Sequence, residues 1–265
     1  MSIFAFPKDH KYTRLVSDLI LIPETLNWLS VLGLIIISCF TSMLTASLGI
    51  GGGMLMLATI AQIMPGNAII PVHGAIQVGS NASRMLVMFR SVKWHLVLWF
   101  TVGSILGALV GGQLVINLPT DLLRAILGLF ILLTVWAPQA VTKFASNKTL
   151  VLGGILSTFL TMFIGATGPF VLAIVRTFNL QRFNLIATNA ACLTLQHGLK
   201  VVVFVILGFA YSPYALLIIA MICSGFIGTI IGKHILMKFD EQLFKYWLNI
   251  LLTILALRLI WIAAL

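Results

Sequence analysis

Leu29–Met64 reads LSVLGLIIISCFTSMLTASLGIGGGMLMLATIAQIM, 36 residues without an Asp, Glu, Lys or Arg. As one straight helix it would run roughly 54 Å, against a bilayer hydrocarbon core of about 30 Å. It must tilt steeply, leave the membrane or break. Gly49-Ile50-Gly51-Gly52-Gly53, near its middle, supplies the break. Glycine costs about 1 kcal/mol per helical position relative to alanine, so four in five residues argue against an uninterrupted helix. Unwound backbone at membrane depth survives only where protein covers it or it lines a wet cavity.

The pattern returns in the second half. Leu150–Phe178 is again long and apolar, interrupted by Gly165-Ala166-Thr167-Gly168-Pro169. Ordinary spans are expected at about 68–90, 95–116, 121–137, 182–207, 213–233 and 242–262, giving eight apolar segments, two of them broken. An offset of 116 residues pairs Gly49 with Gly165, Gly52 with Gly168, His73 with Asn189, Ser80 with Gln196, Asn81 with His197 and Arg84 with Lys200. A change to 121 then pairs Gly103, Gly107 and Gly111 with Ser224, Gly228 and Gly232, and Arg124 with Lys245. The ladder of small residues every fourth position lets helices approach closely in lipid. The chain therefore reads as an internal repeat with a five-residue insertion in one loop.

Charge decides how the halves are related. Cations cluster at Arg90–Lys93, Lys143–Lys148, Arg176–Arg182 and Lys233–Lys245, whereas the loops near 65–70, 117–120 and 208–213 have none. If the broken segments are hairpins that enter and leave on one face, all four clusters fall on the cytoplasmic side. Each half then has an odd number of crossings and is inverted relative to the other. The expected fold is an all-α polytopic membrane protein of two inverted repeats, each a Gly-broken re-entrant helix pair followed by three transmembrane helices. Residues 1–27 form an N-terminal cytoplasmic or interfacial segment, 28–137 the first membrane repeat, 138–149 a basic connecting loop and 150–265 the second repeat. Lys8, Lys11 and Arg14 would lie outside unless residues 14–27 add a membrane element.

Composition agrees. Of 265 residues 60% are hydrophobic and 8% charged, where soluble domains carry roughly 25% charged residues. Met1–Asn27 has six charged residues and no long apolar core, so it is not read as a secretory signal. The net charge of +10 sits at segment ends, where it sets orientation and meets lipid headgroups; nucleic acid is excluded as a partner. Cys39, Cys192 and Cys223 are scattered without metal spacing. No cofactor or metal is expected, and a homodimer is left open.

Two sets of residues could carry function. Half-helix N-termini present unpaired N–H groups and a positive dipole end, so Gly51, Gly52 and Gly53, and Thr167 with Gly168, are read as cradles for anionic oxygens. The alternative is that these glycines only permit tight packing. His73, Gln77, Ser80, Asn81 and Arg84 follow spacings of three and four, as do Asn189, Gln196, His197 and Lys200. A polar stripe in a membrane helix usually faces a cavity. The alternatives are snorkelling of Arg84 and Lys200 to an interface and a structural hydrogen bond for His73 or His197. All six acidic residues lie in the N-terminal region or at segment ends. No midplane carboxylate is available for proton or sodium coupling, which leaves a histidine-coupled or an uncoupled carrier.

These motifs resemble the sulfite exporter TauE/SafE family over roughly residues 35–260. The resemblance rests on Gly49–Gly53, Arg90-Ser91-Val92-Lys93-Trp94, the Gly107/Gly111 ladder, Gly165-Ala166-Thr167-Gly168-Pro169-Phe170, Thr188 and Lys200. A proline common shortly after the first glycine run is replaced by Leu57-Ala58. The resemblance implies a multi-pass carrier in the cell inner membrane that exports a small anion, typically sulfite or an organosulfonate such as sulfoacetate. Import of a sulfur oxyanion or small carboxylate is one alternative, and a membrane-embedded enzyme or assembly factor is another. Against the latter, the sequence shows no nucleophile–base pair, metal cluster or phosphate loop.

Overall fold

The computed structural model describes residue 23 and residues 26–114, 119–136, 145–235 and 241–265. The expected side of the N-terminus, most of the 138–149 loop and the Arg124–Lys245 pairing lie outside what is described. Among the described residues there are ten α-helices and no strands: α1 (Trp28–Leu48), α2 (Gly52–Ile63), α3 (Gly66–Val87), α4 (Trp94–Leu114), α5 (Thr120–Trp136), α6 (Asn147–Ile164), α7 (Gly168–Arg176), α8 (Arg182–Ile206), α9 (Ala215–Ile235) and α10 (Glu241–Ala263). Eight apolar segments with two broken give these ten helices. Six helices are long and apolar enough to cross a bilayer: α1, α4, α6, α8, α9 and α10. The chain is a multi-pass membrane protein.

Both long segments break at their glycines. Asn27 caps α1, accepting from the Ser30 N–H, and the helix stops at Gly49 with φ +82°. Gly51 follows at φ +95°, a conformation that side chains rarely adopt. The chain then doubles back, because Gly52 lies against the Thr41 carbonyl, two turns before the end of α1. Ser146 caps α6 in the same way, and Gly165 ends it at φ +87°. The returning limbs are short: α2 has 12 residues and α7 has nine, about 18 and 14 Å at 1.5 Å per residue. Neither crosses a 30 Å core. Leu55, Met56, Leu57, Ala58 and Ile60 of α2 are almost wholly enclosed, so protein rather than lipid surrounds this limb.

The ladder glycines pack α4 on α6 and α9 on α1. A methyl group on Gly107 would overlap the Ile155 carbonyl, and one on Gly228 would overlap the Cys39 carbonyl. Ser224 Oγ donates to the Ile35 carbonyl (2.6 Å) where its counterpart Gly103 meets the Val151 carbonyl. These contacts correspond under the two sequence offsets. α3 and α8 lie side by side and antiparallel. Tyr211, beyond the end of α8, donates to the Pro71 carbonyl near the start of α3 (3.4 Å). At the other end Asn184 donates to the Ser91 carbonyl (2.8 Å) and the Lys93 N–H to Thr188 Oγ1 (3.0 Å). α5 and α10 are also antiparallel, with Gly128 against Ala256 and Trp136 donating to Thr253 (2.9 Å).

Loop charge sorts by end. Ser91 and Lys93 meet the start of α8, Lys233 donates to the Val87 carbonyl (3.1 Å), and Arg182 donates to the Ser47 carbonyl (3.0 Å). The start of α6 joins them, since α6 runs parallel to α4. At the opposite end the uncharged turns meet, with Gly66 on Thr120 and Tyr211 on Pro71. Arg124, which donates to the Ala61 carbonyl (3.2 Å), is an exception to this sorting. Leu98, Val102, Ile105 and Leu109 of α4, with Ile219 and Ile227 of α9, are exposed on the outer surface. The polar stripes of α3 and α8, from His73 to Arg84 and from Asn189 to Lys200, lie inside.

Candidate functional site

α3 and α8 meet at their polar stripes. The His73 and His197 rings stand edge to face, 6.0 Å between centroids. His73, Gln77, Ser80, Asn81, Arg84, Asn189, Gln196, His197 and Lys200 are all buried. Arg84 is 2% exposed and Lys200 0%, so neither snorkels to an interface.

The hydrogen bonds explain how each is held. His73 Nε2 pairs with the Gly53 carbonyl (3.0 Å), tying α3 to the opening turn of α2. Asn81 donates to the Gln77 carbonyl (2.7 Å) and Gln77 Oε1 (3.2 Å), and accepts from the Arg84 guanidinium. Arg84 also donates to Ser80 Oγ (3.3 Å), which shares a hydrogen bond with Ser42 Oγ (2.8 Å). On the other side Thr167 Oγ1 donates to Gln196 Oε1 (3.3 Å), and Lys200 Nζ to the Gly165 carbonyl (3.2 Å). Among the described residues the salt bridge is Arg124–Asp121 at 3.6 Å; neither Arg84 nor Lys200 faces a carboxylate. Burying an unpaired cation is expensive, several kcal/mol even after relaxation. His73 Nδ1, His197 Nδ1, Asn189 Oδ1 and Gln196 Nε2 are likewise buried without a partner among the described residues. Such groups are normally satisfied in native proteins, by protein or by bound water and ligand.

Arg84, His73, Gln77, Asn81 and His197 line one cavity, together with Gly51, Gly53 and Gly168. It offers about 30 Å³ to the centres of water-sized molecules, where one water needs roughly 10–15 Å³. The space suits a few heavy atoms. Gly52, Thr167, Asn189, Gln196 and Lys200 of the sequence-predicted set do not line it. Asn189 and Gln196 stand elsewhere on α8, and Lys200 stands behind the second break.

The two half-helix ends are unequal. Leu55 is the first N–H of α2 bonded back into the helix, to Gly51, so Gly52, Gly53 and Met54 belong to the open end. At α7, Pro169 has no N–H, and the Phe170 N–H already bonds to Thr167. That end offers one free donor position, Gly168. The glycine readings divide by residue. Gly52 is held by close packing on Thr41, whereas Gly53 borders the cavity, with Gln77 Oε1 3.4 Å from where its Cβ would be.

Thr45, Gly49, Ile50, Met54, Ala166, Pro169 and Leu193 complete the lining and were not expected there from sequence. The signal for Thr45 is the run Ser38, Thr41, Ser42, Thr45 at spacings of three and four, mirrored at 116 residues by Gly154, Ser157, Thr158 and Thr161.

Comparison with known proteins agrees with this architecture. No curated protein and no solved structure gave a match. Residues 34–259 match the family model described as sulfite exporter TauE/SafE. That range includes both glycine breaks, both polar stripes and both small-residue ladders. The chain therefore belongs to the sulfite exporter TauE/SafE family, which is a family of membrane permeases and not of enzymes.

Proposed function

We propose that this chain exports a small anion, sulfite or an organosulfonate such as sulfoacetate, by alternating access at a site between α3 and α8. The observation that carries the reading is two buried cations, Arg84 lining a polar cavity at a helix break and Lys200 on the Gly165 carbonyl of the other break, with no carboxylate facing either among the described residues. A site built this way supplies charge-assisted donors and lacks the carboxylate that a cation would need. The small cavity supports the compact end of the substrate range, an oxyanion of sulfite size.

Inverted halves suit this mechanism. The antiparallel α3/α8 and α5/α10 pairs, and the matched ladder contacts, support a twofold axis in the membrane plane. The end carrying the four basic clusters is then cytoplasmic, and the membrane is the cell inner membrane. Arg84 lies toward the basic end and Lys200 toward the other, so a substrate would meet one cation and then the other. The inside-negative potential drives a monovalent anion outward by about 2.3 kcal/mol per 100 mV, roughly fiftyfold in concentration, with no coupled ion required.

Counterflow in proteoliposomes with labelled sulfite, sulfoacetate and lactate, loaded on either side, tests the reading. Exchange of a sulfur anion but not lactate, dependent on Arg84 and Lys200, is expected. Selective exchange of lactate would replace the substrate class. Uptake against an inside-negative potential would reverse the direction.

A further inference from the structure

Gly49 lines two cavities. One is the inner site just described. The other, of about 410 Å³, opens at the basic end, bounded by Arg176, Asn179 and Arg182 above an apolar floor of Leu48, Leu172 and Ile186. The wall between them is thin. A Cβ on Gly49 would lie 3.3 Å from Ile186 Cγ1 and 3.9 Å from Leu172 Cδ2. We propose that this outer cavity is a vestibule that holds the transported small oxyanion, and that Gly49, Leu172 and Ile186 form an apolar septum it must pass to reach the inner site. The proposal rests on the transport reading above.

The chemistry of the rim selects the ligand. Arginine forks match oxyanions in geometry as well as charge. Arg182 donates to the Ser47 carbonyl (3.0 Å), which fixes its charge at the mouth beside the last turn of α1. Arg176 ends α7 and is exposed. Among the described residues no carboxylate lines either cavity. A cleft of one sign with low-dielectric walls focuses the field and raises the local anion concentration. The floor does the reverse, because a desolvated ion cannot cross closed Leu172 and Ile186 side chains. Together the parts make a compartment where anions wait outside a dry gate.

Arg176→Gln tests the proposal in pure phosphatidylcholine vesicles, with labelled sulfite as the probe and initial rates measured from each face. At low salt the KM on the basic face should rise about tenfold, the lower end of what electrostatic focusing gives. The difference should vanish above about 0.5 M salt, where screening lengths fall to a few Å. The KM from the opposite face should stay at the wild-type value. Ile186→Ala, which thins the septum, should raise sulfite leak several-fold. An unchanged KM on the basic face, or an equal change on both faces, overturns the vestibule while wild-type flux keeps the transport reading. An Arg176→Gln effect seen only when anionic phosphatidylglycerol is added makes the cavity a lipid site and overturns the proposal. Absence of wild-type flux refutes the transport reading, and this proposal with it.

Discussion

Replacing Arg84 by methionine separates a binding role from a structural one, because the two roles predict opposite changes. Arg84 is 2% exposed, and among the described residues its hydrogen bonds run to neutral groups, Ser80 and Asn81. Methionine keeps much of the side-chain length and removes the charge. Replacing buried charge by apolar groups of similar volume is often neutral or stabilising by about 1–4 kcal/mol. Without anion, Arg84→Met should therefore unfold at or above the wild-type temperature. Anion shifts the balance back toward the wild type. At 100 times Kd a ligand stabilises the wild type by about 2.7 kcal/mol. Losing hydrogen bonds from a charged group costs about 1.5–3 kcal/mol, which weakens binding roughly 10–150-fold. The same anion concentration would then stabilise the variant by only about 0.3–1.4 kcal/mol. The assay is thermal unfolding in detergent at fixed ionic strength, with sulfite, sulfoacetate, thiosulfate, lactate and acetate. An Arg84→Met protein that unfolds at a lower temperature but keeps the full anion shift would refute the reasoning and make Arg84 a packing residue.

Three further predictions use other parts of the structure. Gly53→Ala places a methyl group 3.4 Å from Gln77 Oε1 and into the cavity; equilibrium binding should weaken about tenfold or more while unfolding shifts by less than about 1 kcal/mol. Gly107→Ala and Gly228→Ala each drive a methyl group into a backbone carbonyl of the partner helix, so denaturation in detergent should show each losing about 1–3 kcal/mol or more. A mismatch, with one variant unaffected, would contradict the paired ladders. Single cysteines at Ser91 and Thr177, in a background without Cys39, Cys192 and Cys223, should react with an impermeant maleimide from one face, and Ser212→Cys from the other. Labelling of all three from the same face would refute the inverted arrangement.

Much of the fold was legible because lipid leaves few choices. An apolar run of 36 residues cannot remain one helix, and its glycines mark the break to within a residue of the observed Gly49. The stripes on α3 and α8 were legible for the same reason, since His73, Asn81, Arg84, His197 and Lys200 have no place on a lipid-facing surface. α6 starts at Asn147, inside the expected 138–149 loop, because Ser146 provides a cap that a hydropathy reading overlooks. Thr45 was missed because its hydroxyl bonds to the Thr41 carbonyl (2.9 Å), a habit that makes threonine look like a neutral helix residue. Repeat symmetry also concealed something. The sequence pairing treats Arg84 and Lys200 as equivalent, yet one lines the cavity and the other is held by Gly165, an asymmetry that paired residues do not announce. The Pro169 that shortens the second donor set was in view, but its missing N–H acquires meaning only once Phe170 is seen bonded to Thr167.

In the proposed mechanism the two buried cations carry an anion through the bilayer. Sulfite flux in proteoliposomes under an imposed potassium diffusion potential tests it most directly, with wild type, Arg84→Met and Lys200→Met compared at equal reconstitution. The expected flux moves net charge, runs away from the negative side, and is lost in both variants. Wild-type flux that ignores the potential and persists unchanged in both variants would contradict it.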